Sequence, residues 1–320
     1  MHLPEHIREL IRRRVEAVSF SALRRAAEEI SAAYRTGDAG RLRQLPPDAR
    51  VAAYLVTRMP ATYAAAMAVL SDLRRRLGGA RIRSLLDAGA GAGAATLAAR
   101  AQFPELTHLT LLEPDGQMTE AGRDCLPEAV WVPRDLRRAE ALPERDLVLA
   151  SYTLGELAET EALEVAERLW RAATVALVII EPGTPRGFAL VRTVRDRLLA
   201  AGARMAAPCP AEGPCPLSGE DWCHFGKRVE RSSLHRRVKG GDLGYEDEKF
   251  SYVALARKEA TPVSGRIVRR PLHHPGLILL EVCRGVQVET LSVARKERES
   301  WRAARHAEWG ETWGESEITA

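Results

Sequence analysis

Asp87-Ala-Gly89-Ala-Gly91-Ala-Gly93 stands where one periodicity ends and another begins. Residues 82–86 form a short apolar run suited to a strand, and residues 94–101 an alanine-rich stretch suited to a helix. Glycines at such a handover let the backbone turn sharply and let a ligand approach without a Cβ in the way. Glu113 follows Gly93 by twenty residues, at the end of the next apolar run, 108–112. A carboxylate there accepts the hydroxyl protons of a ribose. The pattern predicts an S-adenosylmethionine (SAM) site built from Asp87, Gly89, Gly91, Gly93 and Glu113. Asp135, just beyond a short run at 130–131, is a candidate partner for the adenine amino group and equally a surface residue. Gly89-x-Gly91-x-x-Ala94 also satisfies the dinucleotide fingerprint. Dinucleotide domains usually begin near the N-terminus, however, and here eighty helical residues come first. A tight turn with no ligand is the remaining reading.

Working outward, strand-like runs at 108–112, 130–131, 147–150 and 175–180 alternate with helical stretches at 115–125, 159–170 and 188–200. Such alternation predicts a parallel sheet with helices on both faces. The expected fold is α/β, class I SAM-methyltransferase-like and Rossmann-type. Upstream, apolar residues recur at helical spacing, and a long helical stretch, 51–77, is interrupted at Met59-Pro60. Downstream, 208–225 is too rich in Pro, Gly and Cys for a regular element, and a strand resumes at 250–255. Beyond Pro262 lie strand candidates near Ile267, at 278–282 and at 286–293, then a helix at 296–308. The organisation predicted is an N-terminal helical region (1–80), a SAM domain (81–260) with a Cys-rich insert (208–226), and a small β-rich C-terminal appendage (261–320).

The 320 residues suffice for a full core, and 46% apolar with 28% charged residues is ordinary for a globular protein. No apolar run approaches the roughly 20 residues needed to cross a bilayer. The N-terminus is amphipathic and Arg-rich like a mitochondrial presequence, yet it carries Glu5, Glu9 and Glu16. Transit peptides are poor in acids, which predicts a folded helix and a cytoplasmic protein.

Methyl transfer draws on proximity and orientation, and the loop after the fourth strand positions the acceptor. Here it reads Ser151-Tyr152-Thr153-Leu154-Gly155-Glu156. It is not the Asn-Pro-Pro-Tyr type that grips an exocyclic amine, and no Cys follows the fourth or fifth strand to attack a pyrimidine. Ser151, Tyr152 and Glu156 are candidate substrate contacts, or they cap the next helix.

Four of five cysteines are organised as Cys209-x5-Cys215-x7-Cys223, with Cys283 further on. In a cytoplasmic protein such a cluster reads as metal binding rather than disulfides. Structural zinc favours pairs two to four residues apart, and this wider spacing suits an iron–sulfur cluster. Zinc and unligated thiols stay open on spacing alone. It is not the radical-SAM spacing. Cys125 reads as a core residue, His224 as a packing residue or substitute ligand, and His273-His274 as loop residues.

The net charge of +4 is small, but Lys227, Arg228, Arg231, Arg236, Arg237 and Lys239 cluster against a single acid, Glu230. Arg266, Arg269 and Arg270 follow. Such groups offset phosphate charge or form a solvated basic face. Only 5% of residues are aromatic, which gives little support for a base-stacking platform.

Six longer stretches act together: Tyr54-Leu-Val-Thr-Arg58-Met-Pro60-Ala-Thr-Tyr63, the turn Asp87 to Gly93, Ser151 to Leu157, Ile180-Glu181-Pro182-Gly183-Thr184-Pro185-Arg186-Gly187, Asp221 to Phe225, and Tyr245 to Tyr252. In these the chain resembles, over nearly its whole length, the methyltransferase-like family of the small ribosomal subunit, which includes mitochondrial ribosome assembly factors and bacterial relatives. The resemblance implies a SAM-type fold, association with the small subunit or its rRNA, and a 4Fe–4S cluster on Cys209, Cys215, Cys223 and Cys283. The leading reading is therefore a SAM-binding, iron–sulfur assembly factor with rRNA methyltransferase ancestry or activity. A catalytically silent iron–sulfur module that clamps rRNA, and a small-molecule SAM-dependent methyltransferase or dinucleotide enzyme, are the alternatives.

Overall fold

Leu85 and Leu86 are adjacent and fully buried, yet each belongs to a different core. Successive side chains of a strand point to opposite sides, so this strand is covered on both faces. The computed structural model that places them describes residues 2–36, 44–138, 141–217 and 221–314. Parts of the expected N-terminal region (37–43), Cys-rich insert (218–220) and appendage (315–320) lie outside the described residues.

Four helices come first: α1 (Glu5–Glu16), α2 (Phe20–Thr36), α3 (Pro47–Thr57) and α4 (Met59–Arg76). Pro60 falls in the first turn of α4, where its missing N–H is no loss, and Arg58 is the joint between α3 and α4. The alternating part follows as β1 (Ser84–Ala88), α5 (Ala94–Gln102), β2 (His108–Leu112), α6 (Gly116–Cys125), β3 (Val130–Val132), β4 (Arg145–Ser151), α7 (Glu159–Ala172), β5 (Ala173–Pro182), α8 (Pro185–Ala200) and β6 (Arg204–Ala207). Then come β7 (Phe225–Glu230), α9 (Ser233–Lys239) and β8 (Tyr245–Ala256).

These strands form one sheet in the order β3-β2-β1-β4-β5-β8-β6, with β7 also paired to β8. The first five are parallel, whereas β8 runs antiparallel to β5, β6 and β7. This is a class I SAM-methyltransferase-like α/β fold with a mixed sheet. Leu85, Leu111, Leu149 and Val178 meet the first six helices on one face. Leu86, Leu112, Val148 and Ile179 meet α7 and α8 on the other. Strand order reverses direction between β1 and β4, so a crevice opens beyond their carboxyl ends.

A second, four-stranded antiparallel sheet is built from β9 (Arg266–Ile267), β10 (Leu272–His274), β11 (Leu277–Arg284) and β12 (Gln287–Ala294), followed by α10 (Arg298–Ala304). Its core is small: Ile267, Ile278, Leu280, Val282, Val293 and Ala304, with Trp301 and Trp313 packed alongside.

Besides β6 and β7, which no sequence pattern announced, three elements depart from the sequence expectation. His273 and His274 are not loop residues but lie on β10, where His273 pairs with Ile278. All three β10 residues are exposed, so pairing alone makes the strand and no burial pattern announces it. Helix α9 was hidden in the basic run, although Ser232 caps its start and Gly240, at φ 62°, its end. Strand β8 begins at Tyr245, because its polar first half is paired by β7.

Candidate functional site

The glycine turn occupies the crevice beyond β1. Gly89, Gly91 and Gly93 all adopt positive φ (74°, 55° and 84°), where a side chain is strained. A Cβ on Gly91 would sit 3.0 Å from Tyr54 Oη, and one on Gly89 only 2.4 Å from the Thr153 side chain. Glu113 accepts the Gly91 N–H through Oε2 and the Asp115 N–H through Oε1, both at 2.8 Å. Each of its oxygens keeps a lone pair for a further donor. Asp87 is buried beneath the turn. Its Oδ2 accepts the Thr96 hydroxyl at 2.6 Å, while Oδ1 is buried with no hydrogen-bond partner among the described residues. Burial, tempered by the Thr96 bonds, pushes the Asp87 carboxyl up to about 6. Asp135 stands apart: it is engaged by Arg137, with Nε at 3.0 Å, and its carboxyl is lowered, first by that hydrogen bond.

The loop after β4 faces the turn. Tyr152 is the sole non-glycine residue with positive φ (56°) among the described residues, a backbone state that costs about 1–3 kcal/mol. Its hydroxyl donates to Glu248 Oε1 at 2.8 Å, and its ring lies under the Arg58 guanidinium, 5.5 Å from the centroid. Ser151 Oγ is buried without a partner in the described structure. Glu156 keeps solvent contact at the crevice rim yet is crowded by protein; burial and then Glu113 raise its pKa. Behind the loop, Glu181 accepts the Leu154 and Gly155 N–H groups at 2.9 and 3.2 Å. Full burial drives its carboxyl to about 7.

Helix α3 closes the crevice from outside the sheet, and here reading the glycine motif alone misses residues. Tyr54 lies over Gly91, Arg50 binds Asp115 at 2.6 Å, and Arg58 grips Glu248 with two bonds of 2.9 and 3.1 Å. Tyr54 and Arg58 stand in the stretch Tyr54 to Tyr63 and Glu248 in the stretch Tyr245 to Tyr252, which was the available signal.

The four organised cysteines are brought together. Cys209, Cys215, Cys223 and Cys283 line one cavity of about 50 Å³ between α8, the Pro-rich loop and β11. All are free thiols. Among the described residues no three His, Cys, Asp or Glu side chains are gathered closely enough to hold a metal ion. Burial raises the thiol pKa of Cys209 against the pull of Arg195, and burial with the other three sulfurs raises Cys223 well above its ordinary value. Cys283 is pushed up to about 12, first by burial. His224 does not line the cavity; it is stacked on Trp222 and edge-on to Trp309. Cys125 sits in the main core on α6, its thiol raised by burial to about 11.

Most of the basic run is paired with acids, and Arg231 and Lys239 are turned inward. Arg228 pairs with Asp247 at 3.1 Å and lies 3.8 Å from the Tyr245 ring centroid. Arg231 and Lys239 share Glu246 at 2.7 and 2.9 Å, and Lys227 approaches Glu308 at 3.7 Å. Arg236 and Arg237 are exposed on α9, Arg237 over the Phe20 ring at 4.9 Å. Of the second group, Arg266 is buried on Asp72, Arg269 pairs with Asp221, and Arg270 reaches Asp247 at 3.4 Å.

Comparison with known proteins adds the family. The model of Rsm22, the mitochondrial small ribosomal subunit Rsm22 family, matches residues 48–314. The chain is 26% identical over 285 residues to the human "Ribosome assembly protein METTL17, mitochondrial", covering 81% of this chain and 61% of that protein. It is 25% identical over 323 residues to the Schizosaccharomyces pombe "Rsm22-cox11 tandem protein 2, mitochondrial", covering 82% of this chain and 43% of that one. It thus spans less than two thirds of either relative. Among solved structures, magnesium protoporphyrin IX methyltransferase from Synechocystis PCC 6803 with bound SAM aligns at a TM-score of 0.40 and 13% identity, over 62% of this chain and 80% of the other.

These findings overturn the cytoplasmic expectation: the family is mitochondrial by description, and both relatives are mitochondrial proteins. The N-terminal acids that prompted it belong to α1, where Glu9 pairs with Arg12 and Arg13 while Ile7, Ile11 and Val15 dock on the core. Acids on a docked helix stabilise a fold and carry no address.

Proposed function

The chain belongs to the Rsm22 family of the mitochondrial small ribosomal subunit, and on that premise we propose that it is a SAM-binding assembly factor of that subunit, carrying a cluster on four cysteines. The observation that carries the cofactor reading is the buried, unpartnered Asp87 Oδ1 beneath a left-handed glycine turn. An unsatisfied buried oxygen costs about 1–3 kcal/mol, and an ammonium group is the donor that relieves it. Glu113, with lone pairs to spare, suits the ribose hydroxyls. Gly91 and Gly93 let the backbone approach the ligand, with Tyr54 as cover. Asp135, bound to Arg137, is left as a weaker candidate for the adenine.

When bound, SAM supplies an electrophilic methyl group. The chain's own part is orientation: Tyr152, held in a strained backbone by Glu248, and Ser151, with a buried and unpaired hydroxyl, face the same crevice. A second reading, a catalytically silent module that clamps rRNA, is favoured by the commitment of Tyr152 to the Arg58–Glu248 pair.

Four free thiols lining one cavity match in number and chemistry the donors of a 4Fe–4S cluster, whose four irons take one sulfur each and so need no three ligands on one ion; zinc, which does, is the alternative. In this reading the helices of 1–80 cover the crevice, 81–260 holds the cofactor, and 261–320 brings Cys283 to the insert's three cysteines. Arg236 and Arg237, exposed and without an ion pair among the described residues, are the members of the basic run available to rRNA phosphates.

The cofactor reading is tested by calorimetry with SAM, its demethylated product and NAD. Glu113→Ala and Gly91→Val should each weaken SAM binding more than tenfold while circular dichroism stays that of the parent. Preference for NAD over SAM overturns the reading.

A further inference from the structure

Arg266 and Cys283 are directly opposed on β9 and β11. Opposed residues of an antiparallel pair share a face, with Cβ atoms about 4.5–5.5 Å apart. Arg266 is 2% exposed, and each of its three nitrogens binds a different segment. Nε donates to the Pro208 carbonyl at 3.0 Å, Nη1 to the Gly310 carbonyl at 2.8 Å, and Nη2 to Asp72 at 2.7 Å. Arg195, on α8, approaches the same cavity and is 4% exposed. Its Nη2 donates to the Gly213 and Ala211 carbonyls at 2.6 and 3.1 Å, inside the loop between Cys209 and Cys215.

Each cation has an acid beside it, but neither charge is fully cancelled there. Asp72 is shared among Arg266, Arg75 and Arg76. Asp196, the acid on Arg195, is 54% exposed, and solvent screens such pairs strongly. Two buried cations therefore stand beside four thiols, Arg266 opposite Cys283 and bonded next to Cys209, and Arg195 on the loop between Cys209 and Cys215.

We propose that Arg195 and Arg266 form a cationic clamp on the Cys209 side of the thiolate set, compensating its negative charge and setting the potential of the cluster it holds. This rests on the reading of the four cysteines as cluster ligands. Four thiolates leave a 4Fe–4S cluster anionic, and one-electron reduction adds a further negative charge. Net charge and hydrogen bonds at the sulfurs are the levers that set such potentials. A fixed cation favours the more negative, reduced state; removing it favours the oxidised one.

The test uses the full chain purified without oxygen, measuring iron per chain and then the midpoint potential in a dithionite titration. Arg195→Gln removes the charge but keeps an amide for the loop carbonyls. It should retain iron and shift the reduction equilibrium about tenfold toward oxidised, which is 59 mV for one electron. Arg195→Lys keeps the charge and should lie close to the parent. Asp196→Asn, at an exposed position, should move the potential the opposite way, by about two- to threefold in the equilibrium. A purely structural role for Arg195 gives another pattern: iron lost from Arg195→Lys, which lacks the planar fork, with the potential of Asp196→Asn unmoved. Equal potentials in parent, Arg195→Gln and Asp196→Asn overturn the clamp. A parent holding zinc or no metal overturns the cluster reading and the clamp together, and is recognised before any variant is made.

Discussion

The crevice at the glycine turn and the cavity at the cysteines solve opposite electrostatic problems. In the crevice, Asp87, Glu113, Glu156 and Glu181 crowd together, all with raised pKa values. Among the described residues none of the four forms an ion pair. The cavity also gathers groups that become anionic, but there Arg195 and Arg266 are built in, each buried and tied to the loop that carries the thiols. One site is centred on a single strand–turn–helix stretch and carries carboxylates without a cation of its own, as a site for the proposed cationic ligand would. The other is assembled from side chains far apart in sequence and brings its own cations. The two are therefore vulnerable in different places: the crevice in its charge, the cavity in its architecture.

The largest effect should come from breaking that architecture. Arg266→Met leaves the carbonyls of Pro208 and Gly310 without their donor and withdraws one cation from buried Asp72. Losing one side of a buried ion pair costs about 3–5 kcal/mol. Urea denaturation should show a loss of that order, and limited proteolysis should cut the connection around Pro262, because Arg266 ties the second sheet to α4 and to the Pro-rich loop. A midpoint within error of the parent would mean that the cavity is held by the thiols alone, and that its cations are no part of its architecture.

The two sites were also unequally legible in the sequence. The glycine turn announces itself because its chemistry is local: Asp87, three glycines and Glu113 sit at spacings fixed by one strand–helix–strand unit. The parallel run of strands from β1 to β5 follows from the same alternation, though not their order in the sheet. The four cysteines were legible as a set, yet nothing in their spacing gave Arg195 or Arg266 beside them, since those contacts arise only when α8 and β9 pack on the loop. Arg266 read as one of three basic residues in a cluster, whereas it is the most deeply buried of them. The basic run misled for a related reason. Its counter-charges, Glu246 and Asp247, lie on β8, and a linear count of charge cannot see across a β7–β8 pair. Strand β10 was invisible because an exposed edge has no burial period.

A smaller effect tests the charge of the crevice. Glu181 is fully buried with a carboxyl at about 7, against an ordinary value of 4.5. The folded state therefore binds this proton more tightly than the unfolded chain. Its contribution is fully present below about pH 4.5 and is lost as pH rises through about 7, by a ceiling of about 3 kcal/mol. Asp87 acts in the same direction between its ordinary 3.8 and about 6. Glu181→Gln keeps an oxygen for the Leu154 and Gly155 N–H groups but cannot ionise. Relative to the parent, it should gain stability between about pH 5 and pH 8 in denaturant titrations, by up to about 3 kcal/mol. A parallel pH dependence for the two proteins would show that Glu181 is not part of the crevice's uncompensated charge.

The smallest change in stability is expected where the basic run meets solvent, and it separates charges used within the fold from charges available to a partner. Arg231 and Lys239 are both spent on Glu246. Arg236 and Arg237 sit exposed on α9, and no ion pair of theirs occurs among the described residues. Replacing both by Gln should therefore alter folding stability by no more than about 1 kcal/mol, chiefly through the lost Arg237–Phe20 contact. If they neutralise rRNA phosphates, affinity for small-subunit rRNA should fall, and the slope of log K against log salt should flatten by about 0.7–0.9 for each phosphate no longer neutralised. Arg231→Gln is the control with the opposite profile. It withdraws one of the cations holding Glu246 between β8 and α9, so its effect should appear in denaturation rather than in the salt slope. An unchanged slope for the Arg236/Arg237 variant would make α9 a solvated face and leave the rRNA-binding surface to be sought elsewhere on the molecule. A flattened slope for Arg231→Gln alone would mean that the inward pairs open on binding, and that the division between structural and available charge is made by the partner rather than by the fold.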